Sequence, residues 1–296
     1  MQQTGLRQER KYCARLGWSL VLTGVIMLVW QLWLTWQAIA GRLLGGMGAY
    51  MLLTLVGYYL PALPLVFWLC RKIPVLPRTQ RPFSVRRLGR WFVIGIALMW
   101  VGSLVGNWLN DLVYRVAMLE PVDLVSEAIS EMPISVVLLG GCILGPLCEE
   151  ILFRGLLAGR LARYGQKPAA FVSALLFGLY HANLSQFCYA FLLGLLLAYA
   201  YFYTGTLKMP VLLHILMNLY GSFVVFLLPE GGLMPILYAL SWPILAIAGI
   251  VLLVRGRKAQ IWEHGPCAPS IRVVFVNVGM TAAIVFFFVE TALMYI

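Results

Sequence analysis

Glu149 and Glu150 stand side by side in G-P-L-C-E-E-I-L-F-R-G (residues 145–155), with Arg154 one helical turn on. The run around them is otherwise as apolar as a membrane span. An ionisable side chain at the centre of a bilayer costs about 2.5–3.5 kcal/mol even on the lenient insertion scale, and groups that persist there usually mark a site or a pathway. Two of the three histidines, His181 and His214, also lie in apolar runs, and Asn218 follows His214 by four residues. A carboxylate, two imidazoles and a carboxamide suit hydrolysis of an acyl bond. A glutamate withdrawn from water is a stronger base. Water is the natural nucleophile, because no serine or cysteine has a partnered base nearby in the sequence. One imidazole can hold that water. The other, with Asn218, can donate to the developing oxyanion, usually a large term in acyl transfer.

Helical spacing assigns the groups. Neighbouring residues on a helix point about 100° apart, so Glu149 and Glu150 are not expected to face one small cavity together. Glu150 and Arg154 are spaced i,i+4 with the acid first, the favourable order for a pair on one face. Glu150 and Arg154 therefore read as structural support, and Glu149 as the chemical group. His214 and Asn218 share a face, and Phe177 sets a ring against His181 in F-G-L-Y-H. Glu149 and His181 lie equally far from Gly165, so an antiparallel helix pair turning there brings them level. His214, close behind Thr206, is expected nearer the basic side, with a pocket opening toward the cytoplasmic leaflet.

The elements that must hold these groups follow from composition. The chain has 296 residues, 62% hydrophobic and 11% charged, too oily for a soluble domain. Apolar windows fall at 18–40, 47–69, 91–109, 133–153, 169–180, 187–203, 209–228, 233–254 and 273–296. Most reach the roughly 20 residues a helix needs to span a bilayer. The windows at 169–180 and 187–203 are short and read as broken or partly immersed helices. The expected fold is all-α, a polytopic transmembrane bundle of eight or nine spans without a soluble domain. The first window is longer than a signal core of about 7–15 residues and reads as an uncleaved anchor.

The net charge of +11 sits in particular loops: the tail before residue 16, the linker 71–90, residues 154–167, Lys208, and 255–272. The alternate loops are poor in Lys and Arg, and 111–131 is acidic. This positive-inside pattern predicts a cytoplasmic N-terminus, a plasma-membrane location and contact with anionic lipid, and it removes nucleic acid as a partner. Six scattered cysteines without a C-x-x-C pair read as packing residues rather than a disulfide framework or thiolate metal site. Glu290 is expected to pair within the bundle or lie near the far interface, and His264 to be solvated. Tryptophans 18, 30, 33, 36 and 91 read as interfacial or packing residues.

Several intramembrane chemistries lack their motifs. H-E-x-x-H, G-x-G-D and G-x-S-G are absent, and Asp111 and Asp123 fall in the acidic loop. A zinc site of Glu149, His181 and His214 is chemically open, since carboxylate and imidazole are zinc ligands. The three stretches 145–155, F-G-L-Y-H (177–181) and T-G-T-L-K-M-P-V-L-L-H-I-L-M-N (204–218) resemble, in order, the motifs E-E-x-x-x-R, F-x-x-x-H and H-x-x-x-N of the CPBP family. These are the CAAX-protease and bacteriocin-processing intramembrane proteases, also called the Abi family. The resemblance covers roughly 133–228 without a departure at any motif position.

It implies a helical membrane endopeptidase related to the type II CAAX prenyl endopeptidase. Glu149 would activate water with His181 beside it, His214 and Asn218 would stabilise the oxyanion, and Glu150 and Arg154 would complete the first motif. Family members are described both as metal-dependent and as glutamate-dependent, which leaves zinc or no metal open. The implied partner is a peptide or membrane-protein substrate. The chain then divides into N-terminal helices (1–132), a CPBP-like core (133–228) and C-terminal helices (229–296). The alternative is a non-catalytic membrane scaffold or bacteriocin self-immunity protein that keeps the fold; a transporter is disfavoured by the absence of a two-halves repeat.

Overall fold

The computed structural model describes residues 2–42, 46–119, 133–256, 262, 265 and 271–295. Asp123, His264 and Cys267 lie outside them. Every described element is helical. We number them α1 (Gln2–Ile39), α2 (Gly46–Cys70), α3 (Val85–Ala117), α4 (Ile134–Tyr164), α5 (Gln166–Tyr180), α6 (Leu184–Thr204), α7 (Lys208–Leu227), α8 (Leu233–Arg255), α9 (Ile271–Phe275) and α10 (Val278–Leu293). Among the described residues seven helices are long and apolar enough to cross a membrane, and α10 is a shorter apolar one.

The window at 187–203 is in fact a full-length helix of 21 residues. Its neighbour α5 has 15 residues, about 22 Å at 1.5 Å per residue, against a hydrocarbon core of about 30 Å. A short α5 ends at Tyr180, so His181, the residue that follows it, lies within the bundle rather than at a surface. The last window is interrupted. Asn277 accepts from the Met280 amide at 3.0 Å, which caps α10, and donates to the carbonyls of Val273 and Val274 at the end of α9.

Short caps and glycines fix the joints around the site. Asn183 accepts from the Gln186 amide at 3.1 Å and starts α6 two residues after His181. Gly165 turns α4 into α5 at φ 111°, a conformation that favours glycine. Gly102 and Gly106 of α3 face α6 so closely that an added Cβ would lie 2.4 Å from Tyr189 Cα and 2.4 Å from the Ser185 carbonyl oxygen. Small residues at i,i+4 are how membrane helices gain contact area where hydrophobic exclusion from water is absent.

Two buried clusters result. One joins α1, α2, α4, α5 and α10 through residues such as Leu16, Val66, Phe153, Phe177 and Phe287. The other joins α3, α6 and α7 through Ile94, Leu193, Leu197, Leu213 and Met217, with α8 packed against it. Phe177 from the first cluster meets His214 of α7, whose neighbours Leu213 and Met217 belong to the second. The polar residues of α4, α5 and α7 therefore meet at the seam between the clusters.

Candidate active site

The paired glutamates occupy a short α-helical segment, Gly145–Glu150, between two π-helical segments of α4, Val137–Leu144 and Ile151–Ala158. Wide turns of this kind recur at functional sites because they re-aim side chains within an otherwise regular helix. Glu150 and Arg154 form the expected i,i+4 pair, with Nη1 donating to Oε1 at 2.7 Å and both side chains fully buried. Arg154 is held further. Its Nη2 donates to the Gly194 carbonyl at 3.1 Å, and its guanidinium lies 4.4 Å from the centre of the Phe177 ring.

Glu150 does more than neutralise Arg154. The same Oε1 lies 2.9 Å from His214 Nδ1. An ionised carboxylate can only accept, so Nδ1 carries the proton and the other ring nitrogen is left to face the site. That atom, Nε2, lies 3.7 Å from Glu149 Oε2. The adjacent carboxylates do not share one cavity but lie at opposite edges of one imidazole. His214 stands between them and meets one with each nitrogen. Exposure separates their roles: the Glu149 side chain retains 16% of its surface, whereas Glu150 retains none. Water can reach Glu149.

His214 also sits deeper in the bundle than its place in the sequence suggests. Lys208 at the start of α7 is exposed, but Met209 and Pro210 directly behind it are already buried, and His214 comes level with the glutamates. His181 follows the end of α5 and gives its Nδ1 proton to the Phe177 carbonyl at 2.8 Å, which leaves Nε2 as an acceptor. The Phe177 ring is edge-on to both imidazoles, with centroid distances of 4.9 Å to His181 and 5.6 Å to His214. It works as a spacer between the histidines. Asn218 is only half-buried and donates from Nδ2 to the Gly141 carbonyl of α4 at 2.9 Å. One amide proton is thereby committed, and the second remains for another acceptor.

One contact escapes the sequence. Tyr59 of α2 donates to Glu149 Oε1 at 3.3 Å, and Tyr180, the residue before His181, donates to the Tyr59 hydroxyl at 3.2 Å. A tyrosine in an apolar helix carries no local sign that it will meet a glutamate 90 positions away. The only advance signal was the requirement that a buried carboxylate find donors.

Glu149 and the free Nε2 atoms of His181 and His214 are zinc-type donors in kind. As placed, no three His, Cys, Asp or Glu side chains among the described residues gather closely enough to hold an ion. Glu290 takes no part in the site; it is half-buried on α10. The described cysteines are unpaired.

An all-helical membrane bundle with a carboxylate–imidazole centre at a helix seam is the class that fold and site define. Residues 131–220 match the family model described as Type II CAAX prenyl endopeptidase Rce1-like, a stretch that holds all four groups of the centre. The chain is similar to the membrane-embedded CAAX protease MroQ of Staphylococcus aureus (strain USA300), 30% identical over 151 residues, 48% of this chain and 60% of the relative. It is also similar to YdiL of Bacillus subtilis (strain 168), a candidate membrane peptidase, 28% identical over 100 residues, 33% of this chain and 40% of the relative. The chain thus spans less than two thirds of either relative. No solved structure gives a significant match. The resemblance read from the three motifs is borne out over residues 131–220, and the protein is an integral, multi-pass helical membrane protein.

Proposed function

We propose that the protein is an intramembrane endopeptidase that hydrolyses a peptide bond of a peptide or membrane-protein substrate with water activated by Glu149. The observation that carries this reading is the contrast between the two glutamates. Glu150 is sealed between Arg154 and His214, while Glu149 keeps an accessible carboxylate beside the Nε2 edge of His214. Water accepted at Glu149 and steadied by the free Nε2 of His181 would attack the scissile carbonyl. Glu149 takes the proton as the carbon–oxygen bond forms, and that proton later serves the leaving amine. His214 serves the oxyanion as the imidazolium, with its Nδ1–H held by Glu150 and its Nε2–H donated to the developing negative charge, and the second Asn218 amide proton is its partner. Glu150 fixes the tautomer and orientation of His214, as a buried carboxylate does in other hydrolytic centres. No step requires a metal, although the three donors would be the residues to hold one. The basic loops support a cytoplasmic N-terminus and a site opening toward that side of the plasma membrane.

The test is a comparison of wild type with Glu149→Gln expressed equally in the same cells, with peptide termini of membranes and medium profiled by mass spectrometry. Termini that vanish in the variant identify both proteolysis and its substrate. Identical profiles would favour a non-catalytic scaffold.

A further inference from the structure

On the far side of α6 from the glutamates, a cavity of about 600 Å³ opens between α3, α6 and α8. Its inner wall is hydrocarbon, from Ile94 and Leu98 of α3 and Leu192, Leu195 and Leu196 of α6. Its mouth is formed by Arg87 and Arg90, and an adjoining hollow adds Arg86 and Arg255. Trp91, Tyr199 and Tyr203 lie between the two zones, with Trp91 edge-on to both tyrosines at 5.6 and 5.5 Å. The order from mouth to base is cation, aromatic, aliphatic. Along α3 the distance from Arg90 to Leu98 is about 12 Å, close to the depth of one leaflet's hydrocarbon, about 15 Å.

The arginines are positioned but not neutralised. Arg87 stacks 4.6 Å from the centre of the Tyr203 ring, and Arg90 donates to the Leu252 carbonyl at 3.3 Å near the end of α8. Among the described residues the ion pairs involve only Arg154, Arg163 and His214, so none of the four mouth arginines meets a carboxylate. Four cations this close repel one another, and the N-terminal end of α3, capped by Ser84, adds its own positive dipole. A guanidinium fork matches a phosphate in both geometry and charge. Basic recesses between membrane helices on the basic side take anionic lipid head groups by the same logic.

We propose that this groove is a binding site for one anionic phospholipid, with its phosphate between Arg87 and Arg90 and one acyl chain along Ile94, Leu98 and Leu195. Leu196 and Ile94 share a buried cluster with Leu213 and Met217, the neighbours of His214, so an occupant braces the wall behind that histidine.

The test is native mass spectrometry of the full chain in neutral detergent with equal excess of dioleoyl phosphatidylglycerol or dioleoyl phosphatidylcholine. One phosphatidylglycerol should be retained per chain, at least tenfold more than phosphatidylcholine. Arg87→Gln with Arg90→Gln should abolish that preference, Leu195→Trp should prevent retention of either lipid, and Arg71→Gln with Lys72→Gln should change nothing. Equal retention of the two lipids by wild type overturns the proposal, and wild type alone supplies that comparison if a variant does not fold. Retention of a prenylated peptide with a free carboxylate in place of the phospholipid would also overturn it and assign the groove to substrate.

Discussion

The Glu150 carboxylate holds the His214 imidazole through Nδ1 at 2.9 Å while taking the Arg154 guanidinium at 2.7 Å on the same oxygen. A residue that reads from sequence as half of an ion pair is thus the link between α4 and α7. Glu150→Gln keeps the shape but removes the charge that orders both partners. The expected result is a fall in kcat of about 10²–10⁴, the range seen when a buried carboxylate no longer fixes a catalytic histidine, with KM within about threefold. Steady-state kinetics on an identified substrate would check it. A proportional rise in KM with unchanged kcat would place Glu150 in substrate binding instead.

Arg154 is matched to its site by shape as well as charge. It reaches Glu150 and the Gly194 carbonyl with separate nitrogens and lies over the Phe177 ring. Lysine offers a point charge without the fork or the plane. Arg154→Lys should lower stability by about 2–4 kcal/mol, in the range for disturbing a buried pair. Thermal unfolding in detergent would show it as a clear drop in midpoint, and an unchanged midpoint would contradict the packing described.

Tyr59 carries the test of the N-terminal helices. Hydrogen bonds to charged groups contribute about 1.5–3 kcal/mol, and the 3.3 Å contact to Glu149 belongs at the weak end. Tyr59→Phe should reduce kcat about tenfold and leave the thermal midpoint nearly unchanged. Full activity would mean that α2 merely packs beside the site.

The contact of α3 with α6 depends on Gly102. A Cβ there meets Tyr189 Cα at 2.4 Å, so the helices must separate. Gly102→Ala should destabilise by about 1–3 kcal/mol, as overpacking does. Gly89→Ala in the same helix meets nothing within 4 Å and should be neutral or stabilising by up to about 1 kcal/mol. A lowered midpoint for Gly102→Ala beside an unchanged or raised one for Gly89→Ala, in one thermal assay, is the expected outcome.

The parts of this account that were legible in the sequence are those with a local signature. Apolar runs announced the helices, and Glu149, Glu150, Arg154, His181, His214 and Asn218 stood out because hydrocarbon tolerates such groups poorly. What stayed hidden depends on packing between distant segments. The sharing of His214 by both glutamates depends on where α7 begins and on wide turns on either side of Gly145–Glu150. The contact of Tyr59 with Glu149 depends on how α2 docks on α4. The break at Asn277 lay inside a run whose hydropathy gives no hint of it, although asparagine is a frequent helix cap.

The most direct measurement is turnover of a substrate peptide, found by terminus profiling, by purified wild type and purified Glu149→Gln. The side-chain amide preserves size but cannot take a proton from water. The account predicts that kcat falls by at least about 10³-fold, with KM within threefold and an unchanged thermal midpoint. A variant that retains kcat within threefold of wild type would show that Glu149 is not the base, and the mechanism proposed here would fail.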